Sequence, residues 1–135
     1  MTKHTPFADL WEFHETYNVA RSTTPNLPDE LTAEGAALRK LRRNILREEF
    51  NEYLDAEDAN DLTEIADALG DIIYIAYGTA VAYGLPMDKI FNEIHRSNMS
   101  KLGEDGKPIY REDGKVLKGP RYAPPDIKSI IDAHK

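Results

Sequence analysis

The sequence contains no cysteine, which excludes a disulfide framework, a zinc–thiolate site and thiol catalysis. The absence fits a reducing compartment. Positive charge is also scarce: 17 Lys and Arg stand against 24 Asp and Glu, for a formal net charge of −7. Such a surface is unsuited to sequence-independent binding of polymeric nucleic acid, although a small nucleotide carried with a metal ion stays open. There is no continuous apolar run of about 18 residues, so no membrane span is expected. The N-terminal MTKHTPFADL has no apolar signal core. These absences lead us to expect a soluble cytoplasmic protein. Its 135 residues suffice for one domain with a core of its own.

What is present centres on residues 38–77. Leu38, Leu41 and Ile45 follow the i, i+3, i+7 spacing of an inward helical stripe. Continuing the same steps brings Glu48 and Glu52 onto that stripe, with Glu49 in the same arc. Unpaired carboxylates in a buried position are costly and tend to neutralise, so a cluster of three calls for a cation. A second helix adds Glu64, Asp67 and Asp71 along one face. Hard oxygen ligands from two facing helices suit Mg²⁺, with Mn²⁺ as a substitute.

In chain order, residues 7–18 predict a first helix beginning at Thr5-Pro6, with Phe7, Leu10, Trp11, His14 and Tyr17 on one side. Trp11 and His14 can touch a base or ribose, or simply pack. Residues 19–29 form a loop that either binds or connects. A long helix over 31–57 carries Arg39, Lys40, Arg42, Arg43 and Arg47 ahead of the acids, with Gly35 weakening its first turns. Arg42 lies near the inward arc, where a carboxylate or a phosphate would pair with it. Asn60 or Asp61 caps a third helix over 61–83, whose apolar face comprises Leu62, Ile65, Leu69, Ile72, Ile73 and Ala76. Gly84 stops it and Pro86 opens a fourth helix over 86–99.

The end of that helix, from His95 to Lys101, is dense in donors for an anion. EDGK then occurs twice, eight residues apart, and the second Asp-Gly predicts a small hairpin with KPIYR before it and KVLK after. Lys115 and Lys118 reach a ligand or face water. DIKSIIDAH makes a short last helix. The whole predicts an all-α protein: a single domain over 1–135, a four-helix-bundle core over about 7–100, and an extended C-terminal arm from 101 ending in the short helix. The arm has little core, so a homo-oligomer, dimer or tetramer, is expected.

Glu48-Glu49-x-x-Glu52, followed by acids ahead of an apolar run, resembles the MazG-like nucleoside triphosphate pyrophosphohydrolases. That all-α group also includes phosphoribosyl-ATP pyrophosphohydrolases and helical dUTPases. The resemblance covers roughly residues 10–127, and the SNMSK and DGK…LKGP segments look especially like small bacterial and phage members, which would place a phage-encoded protein in its host's cytoplasm. The family pattern is EExxE, a spacer, then ExxD. Ala68 stands where the Glu before Asp71 would be, and the literal ExxD is Glu64 to Asp67, so two registers are open.

The resemblance implies hydrolysis of a nucleoside triphosphate to the monophosphate and pyrophosphate, for pool sanitation or pool shaping, with dUTP, dCTP or dGTP as candidates. Glu48, Glu49, Glu52, Asp71 and Asp67 would hold Mg²⁺, and Glu49 would act as base. Arg96, Lys101, Lys115 and Lys118 would meet phosphate, Asn98 phosphate or sugar, and Trp11, His14, Asn18 and Asn26 the base. A di-iron bundle would need Glu-x-x-His pairs, and Glu12-x-His14 and Glu93-x-His95 have the wrong spacing. Two alternatives remain: a non-catalytic helical oligomeric module with a decayed acidic site, and a phosphoribosyl-ATP pyrophosphohydrolase, which the DGK-containing arm resembles less.

Overall fold

Local signals set each helix boundary. In the computed structural model, which describes residues 4–135, α1 (Pro6–Thr16) starts where the Thr5 hydroxyl accepts the Ala8 N–H at 3.1 Å. Pro6 lacks an N–H that the first turn would leave unpaired in any case. Asn18, at φ 54°, ends it in the left-handed region that Asn tolerates. In α2 (Ala33–Asp58), Thr32 caps the N–H of Gly35 at 3.0 Å. Gly35 does not weaken this start. A Cβ there would lie 2.0 Å from the Asp29 carbonyl oxygen, so glycine lets the preceding loop close onto the helix. Asp61, not Asn60, caps α3 (Leu62–Tyr83) by accepting the Glu64 N–H at 3.1 Å. Gly84 stops α3 at φ 70°, and the Leu85 N–H returns to the Ala80 carbonyl at 2.8 Å.

The chain divides into two units, the first running to Leu85 and the second spanning Pro86–Lys135. Within the first, α3 packs against both α1 and α2. Its buried positions are Ala68, Gly78, Ala80, Val81 and Ala82, and the buried apolar residues of the helices packed on it include Leu10 of α1 and Ala56 of α2. The small side chains allow close helix approach. The loop over 19–29 proves to be tied along the end of α3: Ser22 N–H bonds the Val81 carbonyl at 3.0 Å and Asn26 N–H the Tyr83 carbonyl at 2.8 Å.

Two expectations about faces need correcting. The apolar stripe read as the inward face of α3 is largely uncovered, with Leu62 79 % and Ile73 57 % exposed. On α2 the buried line runs through Arg42, Glu49 and Ala56 rather than Leu41, and Phe50 is 51 % exposed. Helix α3 is also long and apolar enough, by length and composition alone, to cross a membrane, which the lack of a continuous apolar run did not anticipate. It carries Glu64, Asp67 and Asp71 and forms the centre of the first unit's packing.

In the second unit, α4 (Met87–Met99) precedes the hairpin of β1 (Ile109–Tyr110) and β2 (Val116–Leu117), paired antiparallel with Ile109 opposite Leu117. Helix α5 (Ile127–His134) closes the chain. The arm is stapled to the end of α4. Gly119 N–H bonds the Lys101 carbonyl at 2.9 Å, and Ala123 N–H bonds the Ser100 hydroxyl at 2.9 Å. Glu93 accepts both Arg96 nitrogens, at 2.7 and 2.8 Å, and the Asp126 N–H at 2.7 Å. Its carboxyl is thereby held down to about 2, chiefly by Arg96. The protein is all-α, as expected, but α4 groups with the arm rather than with the first three helices.

Candidate metal centre

One helical stripe of α2 passes from core to carboxylate. Arg42, Ile45, Glu49 and Ala56 follow in steps of three, four and seven and are all buried or half-buried. Glu49 therefore enters the packed α2–α3 interface, as expected. Glu52 stands one turn on, at the exposed edge, and Asp71 of α3 faces both. One carboxylate oxygen from each of Glu49, Glu52 and Asp71 lies within 4.8 Å of the others. Glu48 is exposed and is not among these three. The step that places Glu48 on the stripe from Leu38 and Leu41 follows a line that the fold turns outward.

The electrostatics of this cluster are unfavourable as it stands. Glu49 Oε2 is buried with no hydrogen-bond partner. The Glu49 carboxyl is pushed up to about 7, by burial first, then by its bond to Glu52 and the charges of Glu52, Asp71 and Asp67. An orphaned buried oxygen among convergent carboxylates is what a hard divalent cation would satisfy, and the donor set is all oxygen. Of the two registers open in the sequence, Asp71 lies in the cluster and Asp67 is close enough to act on Glu49. Glu64 lines an adjoining cleft of about 280 Å³ that it shares with Glu52, Asp55, Asp61 and Asp67.

The shifted carboxyl makes stability depend on pH with a definite sign. Its folded value, about 7, lies above the ordinary 4.5, so the folded state binds more protons between them. Stability should therefore fall as pH rises through this window and level off above it. The difference between wild type and Glu49→Gln in chelator isolates the effect. Denaturant melts from pH 4 to 8 should show wild type losing stability relative to the variant; a constant difference would contradict the assignment.

The remaining candidates fare variously. His14 is 1 % exposed, and its Nδ1 donates to the Ala20 carbonyl at 2.8 Å. Burial, first, and the charges of Arg42 and Arg21 outweigh that bond and lower its pKa, so it is a neutral core residue rather than a base contact. Arg42, 6 % exposed, donates through Nε to Thr79 Oγ1 at 3.0 Å and through Nη2 to the Ile75 carbonyl at 2.9 Å. It is thus bound into the α2–α3 interface, not to a carboxylate. Asn18 serves as a helix stop and Asn26 ties the loop through its backbone. Trp11 is half-buried with Arg21 6.0 Å from its ring centroid.

In the second unit Arg96 is clasped by Glu93 and also reaches the Pro124 carbonyl, which removes it from the free donors. Lys118 lies 4.8 Å from the Tyr122 ring centroid. Asn98 and Lys115 are exposed, Lys101 is half-buried, and Lys115 N–H closes the hairpin turn onto Asp113. Sequence reasoning missed a further cleft of about 300 Å³ between α1 and α3, lined by Asp9, Glu12, Phe13, Thr16, Tyr17 and Tyr74. Phe13 packs edge-on to Tyr74 at 5.7 Å and against Tyr17 at 4.6 Å. Tyr74 is one turn beyond Asp71; that spacing, with aromatics four apart on α1, was the available signal.

The sequence pattern of the family described as phosphoribosyl-ATP pyrophosphohydrolase matches residues 10–98. An uncharacterized protein of Acanthamoeba polyphaga mimivirus is 28 % identical over 131 residues, covering 96 % of this chain and 49 % of its own length. The chain thus spans about half the length of that curated relative. A solved structure from Exiguobacterium sp. 255-15, of a protein proposed to be an NTP pyrophosphohydrolase, is 25 % identical, covers 98 % of this chain and 95 % of its own, and gives a TM-score of 0.44.

Proposed function

The chain belongs to the phosphoribosyl-ATP pyrophosphohydrolase family, within the wider MazG-like all-α group, and from that premise we propose that it is a metal-dependent pyrophosphohydrolase cleaving the α–β phosphoanhydride of a nucleoside triphosphate. The observation that carries this reading is the convergence of Glu49, Glu52 and Asp71 within 4.8 Å, with Glu49 Oε2 buried and unpartnered. Those three residues, with Asp67 beside them, would hold Mg²⁺ or Mn²⁺. The bound cation would supply positive charge at the phosphates and a water acidified for attack. Of the cluster, a Glu49 carboxylate oxygen that the cation leaves free would take the water's proton. Tyr74, Phe13 and Tyr17 offer a ring surface for the base one turn from Asp71. Lys101, Lys115 and Lys118 remain the proposed phosphate contacts, with Asn98 for phosphate or sugar.

The substrate is a common nucleotide, of pyrimidine or guanine type, used in pool sanitation or shaping. The family match favours a second reading in which the triphosphate belongs to phosphoribosyl-ATP. Nucleoside triphosphates incubated with Mg²⁺ should yield monophosphate and pyrophosphate in equal amounts, and neither in chelator. Turnover of phosphoribosyl-ATP alone would select the second reading. The exposed apolar side chains Phe50, Leu54, Leu62 and Ile73 lie on α2 and α3 and are the surface we assign to a homo-oligomer. Light scattering should find no monomer at micromolar concentration.

A further inference from the structure

The positive charge of this acidic chain is unevenly placed. Between Glu48 and Asp88 there is no Lys or Arg at all, while Arg39, Lys40, Arg43 and Arg47 occupy the two and a half turns before it. These four, with Ala36, Asn44 and Glu30, line a cleft of about 500 Å³ along the first half of α2. At about 100° per residue, the mean direction of the cleft positions lies on the side of α2 away from Glu49. The cleft is therefore a separate feature from the acid cluster. Its volume lies in the range of small-ligand sites.

The cations are poorly neutralised from within. Among the described residues, the ion pair they make is Arg39 with Glu30, at 3.5 Å. Arg39 and Arg43, Lys40 and Arg43, and Arg43 and Arg47 are neighbours at i+4 or i+3, spacings at which like charges repel. A sequence with 24 acids had many side chains with which to break this ridge, and none interrupts it from Lys40 to Arg47. Guanidinium groups on a ridge match phosphate oxygens in pairs, and Lys40 and Asn44 add donors on the same wall. Such a cleft fits a compact, multiply charged anion.

We propose that the Arg39–Arg47 cleft is a second anion site that binds an oligophosphate, either inorganic pyrophosphate or the phosphate tail of a nucleotide, without a metal ion. The site stands apart from the acid cluster and does not depend on its catalytic role. Binding to the two can be separated by chelation, because an acid cluster without metal repels phosphate.

The test is calorimetry on the full chain in excess chelator, with pyrophosphate, inorganic triphosphate and a nucleoside triphosphate as separate probes. Arg43→Gln/Arg47→Gln keeps good helix formers at both positions. Wild type and Glu49→Gln should bind at least one probe with similar affinity, and the double variant at least tenfold more weakly. Preference for pyrophosphate over the nucleotide would identify the free anion as occupant, and the reverse the nucleotide tail. No binding to wild type, or binding unchanged in the double variant, would overturn the proposal. So would a change of oligomeric state in the double variant, since the cleft would then be an interface between copies. Circular dichroism of the double variant confirms that its helices are intact before the comparison is made.

Discussion

Glu49→Gln should fold normally and lose pyrophosphate release by about 10³-fold, within the range for removal of a general base. The substitution keeps the shape of the side chain and removes one of several converging charges. The wild-type carboxyl stands at about 7 because burial and the charges of Glu52, Asp71 and Asp67 oppose its ionisation. A neutral amide relieves that conflict, so the metal-free variant should be at least as stable as wild type at pH 8. Loss of activity with stability retained or raised separates a catalytic role from a structural one. A variant with most of its activity would remove Glu49 as the proton acceptor. Asp71→Asn should instead act mainly on metal affinity, with activity partly recovered at high Mg²⁺.

Arg42→Ala should cost about 3 kcal/mol of folding stability. The guanidinium is buried, bonds Thr79 Oγ1 and the Ile75 carbonyl, and lies over Gly78, where a Cβ would come within 2.4 Å of Nη2. Truncation leaves a cavity in the α2–α3 interface and strips the carbonyl of a charged donor. For a domain of this size the midpoint of thermal unfolding should fall by about 10 °C. Arg42→Lys should recover part of this, since one ammonium cannot reproduce two divergent bonds. Below its lowered midpoint, Arg42→Ala should keep near wild-type kcat. A loss under about 1 kcal/mol, or a selective loss of substrate affinity, would restore Arg42 to the phosphate-binding set.

The helices were legible because their boundaries are local. Thr5-Pro6, Asp61, Gly84 and the Asp113-Gly114 turn each act within a few residues, and the structure uses all four. Glu49 was legible as a carboxylate continuing a core stripe. Which stripe was core was not: Arg42 takes the inward position beside Leu41 because Gly78 and Thr79, 36 and 37 residues later, form a slot for a guanidinium. The uncovered apolar face of α3 was misread for a related reason. Periodicity identifies an apolar face but not what covers it, and the positions of α3 that are buried are the small ones, Ala68, Gly78, Ala80 and Ala82, with Val81. Arg96 looked free because its clasp by Glu93 is decided by the Asp126 N–H and the Pro124 carbonyl, both delivered by the returning arm. The Phe13–Tyr17–Tyr74 cleft likewise needs two helices to be brought together before it exists.

The measurement that bears most directly on the central claim is turnover of nucleoside triphosphates in ¹⁸O-labelled water, with Mg²⁺ and with chelator. The account predicts pyrophosphate and monophosphate in equal amounts only with the metal, with the label in the monophosphate, as attack on the α-phosphorus requires. Release of inorganic phosphate in place of pyrophosphate, label in the pyrophosphate, or equal turnover in chelator would contradict it.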